Sequence, residues 1–210
     1  MIGSCRIHQR AHGLGQVSDA EVTEAVRLTR RAIETGKEDP DALWMAAWTL
    51  SAFTGEHATA ASVIDRALML NPNAAHAWMV SGLVSVNQNR PDRAIEAFDR
   101  ATRLSPLDPL GRGFTLGLAL AHLAAGRYEE AIEWADRSLA AQPGYRPALR
   151  TKAACCAYLD RIEEARNWVS RMLELEPGLT IARFKASWTH TSEFLDRYVE
   201  GLRKAGLPEG

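Results

Sequence analysis

A chain of 210 residues, 46% apolar and 24% charged, carries enough apolar material for one or two packed domains and too much to stay disordered. Its 25 basic and 26 acidic side chains are interspersed, so no one-signed field marks it for nucleic acid or an anionic membrane surface. The 3 cysteines, Cys5 and the adjacent pair Cys155 and Cys156, form no even disulfide framework and no spaced metal-binding pairs, which points to reduced thiols in cytoplasm, with no cofactor and no metal.

In chain order, residues 1–16 carry Arg6, His8, Arg10 and His12 without the apolar stretch of a secretory signal, and read as a flexible segment. His8 and His12 have a metal-compatible spacing but no helical pattern around them and no third ligand. Gly13 and Gly15 precede no strand, so they make no phosphate loop. Asp19 to Thr35 has Val22, Ala25, Val26, Thr29, Ala32 and Ile33 along one side, an amphipathic helix whose partner is missing.

From Asp41 onward the sequence repeats. Trp44, Ala60, Ala67 and Pro72 recur 34 positions later as Trp78, Ala94, Ala101 and Pro106. Units near 41–74, 75–108, 112–145 and 146–179 line up, with three extra residues near Leu107 to Gly111. In each unit a first helix runs to a break at Gly55, Asn89 to Pro91, Gly126 or Asp160, and a second ends before Pro72, Pro106, Pro143 or Pro177. Small residues Ala60, Ala94, Ala131 and Ala165 hold one equivalent position where two backbones approach, and Ile64, Phe98 and Val169 fill the space after it. Trp48 stands where Gly82 stands in the next unit, and Met172 where Ala67 and Ala101 stand, which predicts altered spacing there. The longest apolar run, Phe114 to Ala125, is interrupted by His122 and is well short of the roughly 20 residues that cross a bilayer. Beyond the fourth unit, Leu179 to Ser187 reads as the start of a fifth, and Ser192 to Ala205 as a helix that closes the stack.

A unit of this size cannot bury its apolar face alone and is stable only in an array. The pattern resembles the tetratricopeptide repeat, which implies an all-α superhelix: an α-solenoid of antiparallel helix pairs over residues 17–210, with four full repeats and half-repeats in the flanking helices at 19–35 and 180–205.

Nothing in the sequence assembles chemistry. Glu129 with Glu130, and Glu163 with Glu164, fall in the first turns of second helices, where carboxylates meet the positive end of the helix dipole. His122 takes a hydrogen-bonded packing role at a position where this repeat type often has an aromatic residue, and the paired cysteines lack an activating cation. The chain is therefore expected to be no enzyme. What remains is the inner, concave side of the first helices, where Met45, Thr49, Phe53, Met79, Leu83, Val86, Leu116, Leu120, Arg150, Ala154 and Phe184 are placed. That mostly apolar groove suits a protein or peptide ligand such as an amphipathic helix. A second copy of the chain, making a homodimer, or the chain's own terminal helices are the other occupants the sequence allows.

Particular wordings go beyond the generic repeat. Ser105-Pro106-Leu107-Asp108-Pro109-Leu110-Gly111, Ala125-Gly126-Arg127-Tyr128-Glu129-Glu130-Ala131, Leu175-Glu176-Pro177-Gly178-Leu179-Thr180 and above all Gly201-Leu202-Arg203-Lys204-Ala205-Gly206-Leu207-Pro208-Glu209 resemble the carboxyl-terminal tetratricopeptide region of bacterial class III adenylate or guanylate cyclases. Similar tails occur on some bacterial winged-helix transcriptional regulators. The resemblance covers about Val17 to Gly210 and implies a non-catalytic interaction or dimerisation module of a cytoplasmic signalling protein. The cyclase domain of that family lies upstream and its catalytic motifs are absent here, so the chain is expected to be a fragment of such a protein or a free-standing relative.

Overall fold

The computed structural model describes residues 19–35, 38–106, 111–188 and 191–210. The readings of Cys5, His8, His12, Gly13 and Gly15, and of residues 107–110 within the insertion, lie outside that set. Among the described residues every regular element is a helix. After α1 (Asp19–Thr35), α2 (Pro40–Thr49) continues through a π-helical turn (Leu50–Thr54), and α3 (His57–Leu70) follows. Then come α4 (Ala75–Asn87), α5 (Pro91–Leu104), α6 (Gly111–Ala124), α7 (Tyr128–Ala141), α8 (Arg146–Tyr158) and α9 (Ile162–Leu175). A short α10 (Ile181–Ala186) and α11 (Glu193–Lys204) end the chain.

The four breaks between paired helices share one backbone solution. Gly55, Asn89, Gly126 and Asp160 are all left-handed, with φ of 69°, 55°, 74° and 58°. Glycine meets this conformation without steric cost, and asparagine and aspartate are the side chains that tolerate it best. The reversal lets each second helix fold back on its first.

Ala60, Ala94, Ala131 and Ala165 are completely buried, as the close approach of the helices demands. The centre of the stack is Phe98, on α5, which is also fully buried. Its ring lies between two glycines: a Cβ on Gly82 of α4 would stand 2.7 Å from it, and a Cβ on Gly117 of α6 would fall well inside contact distance of the same ring. One side chain thus locks two successive first helices to the second helix between them. Trp78 is less central than its repeat position suggests; it is half-buried, with its indole N–H donating to the Pro72 carbonyl at 2.8 Å. Trp48 is buried and meets Phe53 edge-on at 5.6 Å beside the π turn, so the bulky exception in the first unit coincides with a widened helix end. Met172 is buried in the fourth unit.

Consecutive first helices pack on one another, α2 on α4, α4 on α6 and α6 on α8, whereas consecutive second helices barely meet. The array therefore curves toward the first helices, which form its inner face. At the amino end α1 packs against α2 and the π turn, in the place of a preceding second helix. At the carboxyl end the chain's own terminal helix, one of the occupants the sequence allowed, covers part of the inner face. Instead of continuing the array, α11 folds back over the inner face, packing on α8 and reaching α6 and α4.

Candidate functional site: the inner groove and the helix that occupies it

On α11 the residues Phe194, Leu195, Tyr198, Val199, Gly201 and Leu202 are buried, an apolar face with the i, i+4 spacing of a docked amphipathic helix. Ser192 caps it, accepting a hydrogen bond from the Leu195 amide at 3.1 Å. Its closest approach is at Gly201, where a Cβ would stand 2.8 Å from both Ala154 Cβ and the Tyr158 ring on α8. Four polar contacts fix the register. Asn89, at the end of α4, donates to Glu193, and Arg197 donates to the Ala124 carbonyl at the end of α6. The Tyr158 hydroxyl donates to the Arg197 carbonyl at 2.7 Å, and the Tyr198 and Thr151 hydroxyls share a hydrogen bond of 2.9 Å. Cations at helix carboxyl ends, like Arg197 on α6, complement the exposed carbonyls.

The groove residues read from the sequence divide accordingly. Thr49, Met79, Val86, Leu116, Ala154 and Phe184 are buried within the chain. Ala154 lies directly beneath α11, and Thr49 returns its hydroxyl to the Met45 carbonyl at 2.9 Å. Met45, Phe53, Leu83 and Leu120 are half-buried. Arg150 is tethered: its guanidinium donates to Glu176 at 2.7 Å and lies 5.6 Å from the centre of the Phe184 ring. The inner face is thus filled by the chain itself over α8 and keeps partial exposure over α2, α4 and α6.

What sequence reading missed is the role of the closing motif. Gly201 makes the close approach, and Gly206, with φ of 94°, turns the chain out of α11. Leu207 is buried, and the carbonyls of Pro208 and Glu209 accept hydrogen bonds from the Ile181 and Ala182 amides of α10 at 2.8 and 2.9 Å. Arg203 clamps the Glu209 carboxylate at 2.6 Å and Glu200 at 2.8 Å. The spacing of two glycines around Leu-Arg-Lys-Ala, followed by Leu-Pro, was the available signal.

Neither thiol among the described residues is an activated nucleophile. Cys155 and Cys156 are both buried; burial pushes the Cys155 thiol up, and burial followed by the nearby Glu164 carboxylate pushes Cys156 up to about 12. Burial likewise raises Tyr158 to about 12 and raises Tyr198, so both stay protonated hydrogen-bonding phenols. His122 is half-buried, but its buried Nδ1 lacks the hydrogen-bond partner that its expected packing role called for, and burial lowers its pKa. Among the described residues no group of three His, Cys, Asp or Glu side chains is placed to hold a metal, and no helix is long and apolar enough to cross a membrane.

This geometry matches known proteins at the level of fold. Among solved structures, PilW, a widely conserved type IV pilus biogenesis factor, superposes with a TM-score of 0.70 at 18% identity, covering 97% of this chain and 87% of that one. YrrB, a tetratricopeptide protein with an unusual peptide-binding site, gives 0.56 at 23% identity over 84% of this chain and 90% of its own. MamA from Desulfovibrio magneticus RS-1 gives 0.62 at 22% identity, with 83% and 93% covered. None of the curated proteins matches the chain. Two tetratricopeptide repeat models match, one over residues 52–109 and 82–146 and the other over 122–187, which together span more than half of the sequence. The chain belongs to the tetratricopeptide repeat family.

Proposed function

We propose that this protein is a non-catalytic adaptor that takes an apolar or amphipathic helical segment of another protein into its inner groove. The observation that carries the reading is the half-buried strip of Met45, Phe53, Leu83 and Leu120. Met45 and Phe53 belong to the first unit, and α11 packs on α4, α6 and α8 rather than on α2. Adaptable methionine and aromatic surface at the mouth of a concave array suits a helix whose apolar face repeats every three to four residues. YrrB, with its peptide-binding site, is an example of a similar fold put to such use. The unpaired, buried thiols Cys155 and Cys156 support a cytoplasmic setting.

The test is a display library of helical peptides selected on the protein and counter-selected on Leu83→Asp/Leu120→Asp. Selected peptides should bind the parent and lose at least tenfold affinity for the double variant, whose helical circular dichroism should match the parent's. Equal binding to both would reject the groove as the site. A homodimer would appear in the same experiment as self-association that competes with the peptides. The Gly201–Glu209 wording further supports a place in a cyclase-type signalling protein, with these repeats as the interaction segment. The chain itself should make no cyclic nucleotide from ATP or GTP.

A further inference from the structure

The carboxyl-terminal segment from Leu179 to Gly210 is built as a body of its own. Its internal bonds join α10 to the tail through the Ile181 and Ala182 amides, and α11 to the tail through Arg203 and Glu209. It has an aromatic cluster of its own: Phe184 meets Tyr198 at 5.2 Å and Trp188 at 6.2 Å, and Trp188 meets Phe194 at 6.0 Å. The bonds that dock it are a separate set, running from Glu193, Arg197 and Tyr198 to the ends of α4 and α6 and to the inner side of α8. Neither α10 nor α11 packs extensively on α9, the helix that precedes them in sequence, although each earlier first helix packs on the second helix before it; the tail passes α9 at Gly206, where a Cβ would stand 3.9 Å from Arg166 Cγ. Tyr198 and Phe184 belong to both sets, touching each other within the segment and Thr151 and Arg150 on α8, but the aromatic cluster travels with the segment, which follows the last repeat in sequence and can leave while the four repeats stay complete.

We propose that this segment is a displaceable internal occupant, and that the inner face beneath α11 is a recognition surface for a partner helix of the same chemistry. This deepens the adaptor reading given above. The surface itself states what that helix must present. Two aromatic residues four apart correspond to Phe194 and Tyr198, and an aliphatic residue four further on corresponds to Leu202. A small residue just before it corresponds to Gly201, because Ala154 and Tyr158 leave no room for a larger one. A cation between the aromatics corresponds to Arg197, aimed at the carboxyl end of α6. Tyr198 adds a hydroxyl for Thr151. Partner binding and release of α11 are then the same event, and the groove is closed until a competitor of matching pattern arrives.

The test uses the full chain and a fluorescent peptide spanning residues 191–206. The variant Gly201→Leu changes only the internal occupant, since the peptide keeps its own glycine and α8 is untouched. It should bind the peptide at least tenfold more tightly than the parent does, with circular dichroism still that of a folded repeat array. A second variant, Glu193→Ala/Arg197→Ala, removes two docking bonds without touching the aromatic cluster, and should bind several-fold more tightly than the parent. Hydrogen exchange of the parent should show residues 193–204 opening more readily than α8, and faster still with excess peptide. Folded variants that bind no better than the parent would overturn the proposal, as would exchange of α11 only in step with α8. So would a dimer of Gly201→Leu that excludes the peptide, since a second copy would then be the occupant. Library peptides that depend on Leu83 and Leu120 would still support the adaptor reading if displacement of α11 failed.

Discussion

At the scale of single residues, the fold is most sensitive where one ring serves two helix crossings. Phe98 is completely buried against Gly82 and Gly117, so Phe98→Ala should cost about 3–5 kcal/mol in chemical denaturation. Trp78→Ala should cost less, because the indole is half-exposed and its main specific tie is one hydrogen bond to Pro72. Methyl groups on the glycines should overpack the same ring, each costing roughly 1–3 kcal/mol. Combining Gly117→Ala with Phe98→Leu should then cost clearly less than the two single changes added together; strict additivity would mean that the ring is not the obstruction. His122 provides a different kind of sensitivity. Its Nδ1 is buried without a partner and burial lowers its pKa in the fold, despite the opposing pull of the Glu130, Asp99 and Glu133 carboxylates. The unfolded chain therefore takes up the proton first as pH falls. The contribution of the neutral imidazole is whole above the ordinary histidine value of about 6.5 and is lost progressively below it. The parent's melting temperature should fall between pH 7 and pH 5 by more than that of His122→Phe. Parallel curves would show that His122 does not report the burial.

At the scale of elements, legibility followed physical locality. The four left-handed turns were readable because Gly55, Asn89, Gly126 and Asp160 sit at equal places in a repeated pattern, and few residue types suit that backbone. The buried alanines were readable for the same reason. The interaction that the sequence allowed but could not single out was non-local. Nothing in the spacing of Phe194, Tyr198 and Leu202 says which surface their face will cover, since an amphipathic stripe fits the end of a stack as well as its hollow. Gly117 escaped too, because its reason is the girth of Phe98 in another helix rather than anything near it in sequence. Of the groove residues, Met45, Phe53, Leu83 and Leu120 remain partly open, while Ala154 and Phe184 are claimed by α11 and by Arg150. Periodicity identifies an inner face. It does not identify the occupant.

For the whole molecule, the return of α11 changes what kind of object the array is. A repeat stack joined only between neighbours gains stability by nearest-neighbour terms, and its ends can unfold before its middle. Ion pairs between neighbouring units, such as Arg93 with Asp65 and Arg127 with Asp92, are exposed and do little to alter that. By packing on α8, α6 and α4 together, α11 joins three units that would otherwise communicate only through their neighbours. The parent should therefore unfold in urea in a single steep transition, with fluorescence of its tryptophans and helical circular dichroism changing together. In Gly201→Leu, where the cross-link between units is released, the transition should broaden and the two signals should separate, because steepness scales with the surface exposed in one cooperative step. If the variant instead loses stability while the transition keeps its slope and the two signals still coincide, the repeats hold one another without α11, and its seat on the inner face contributes binding energy alone.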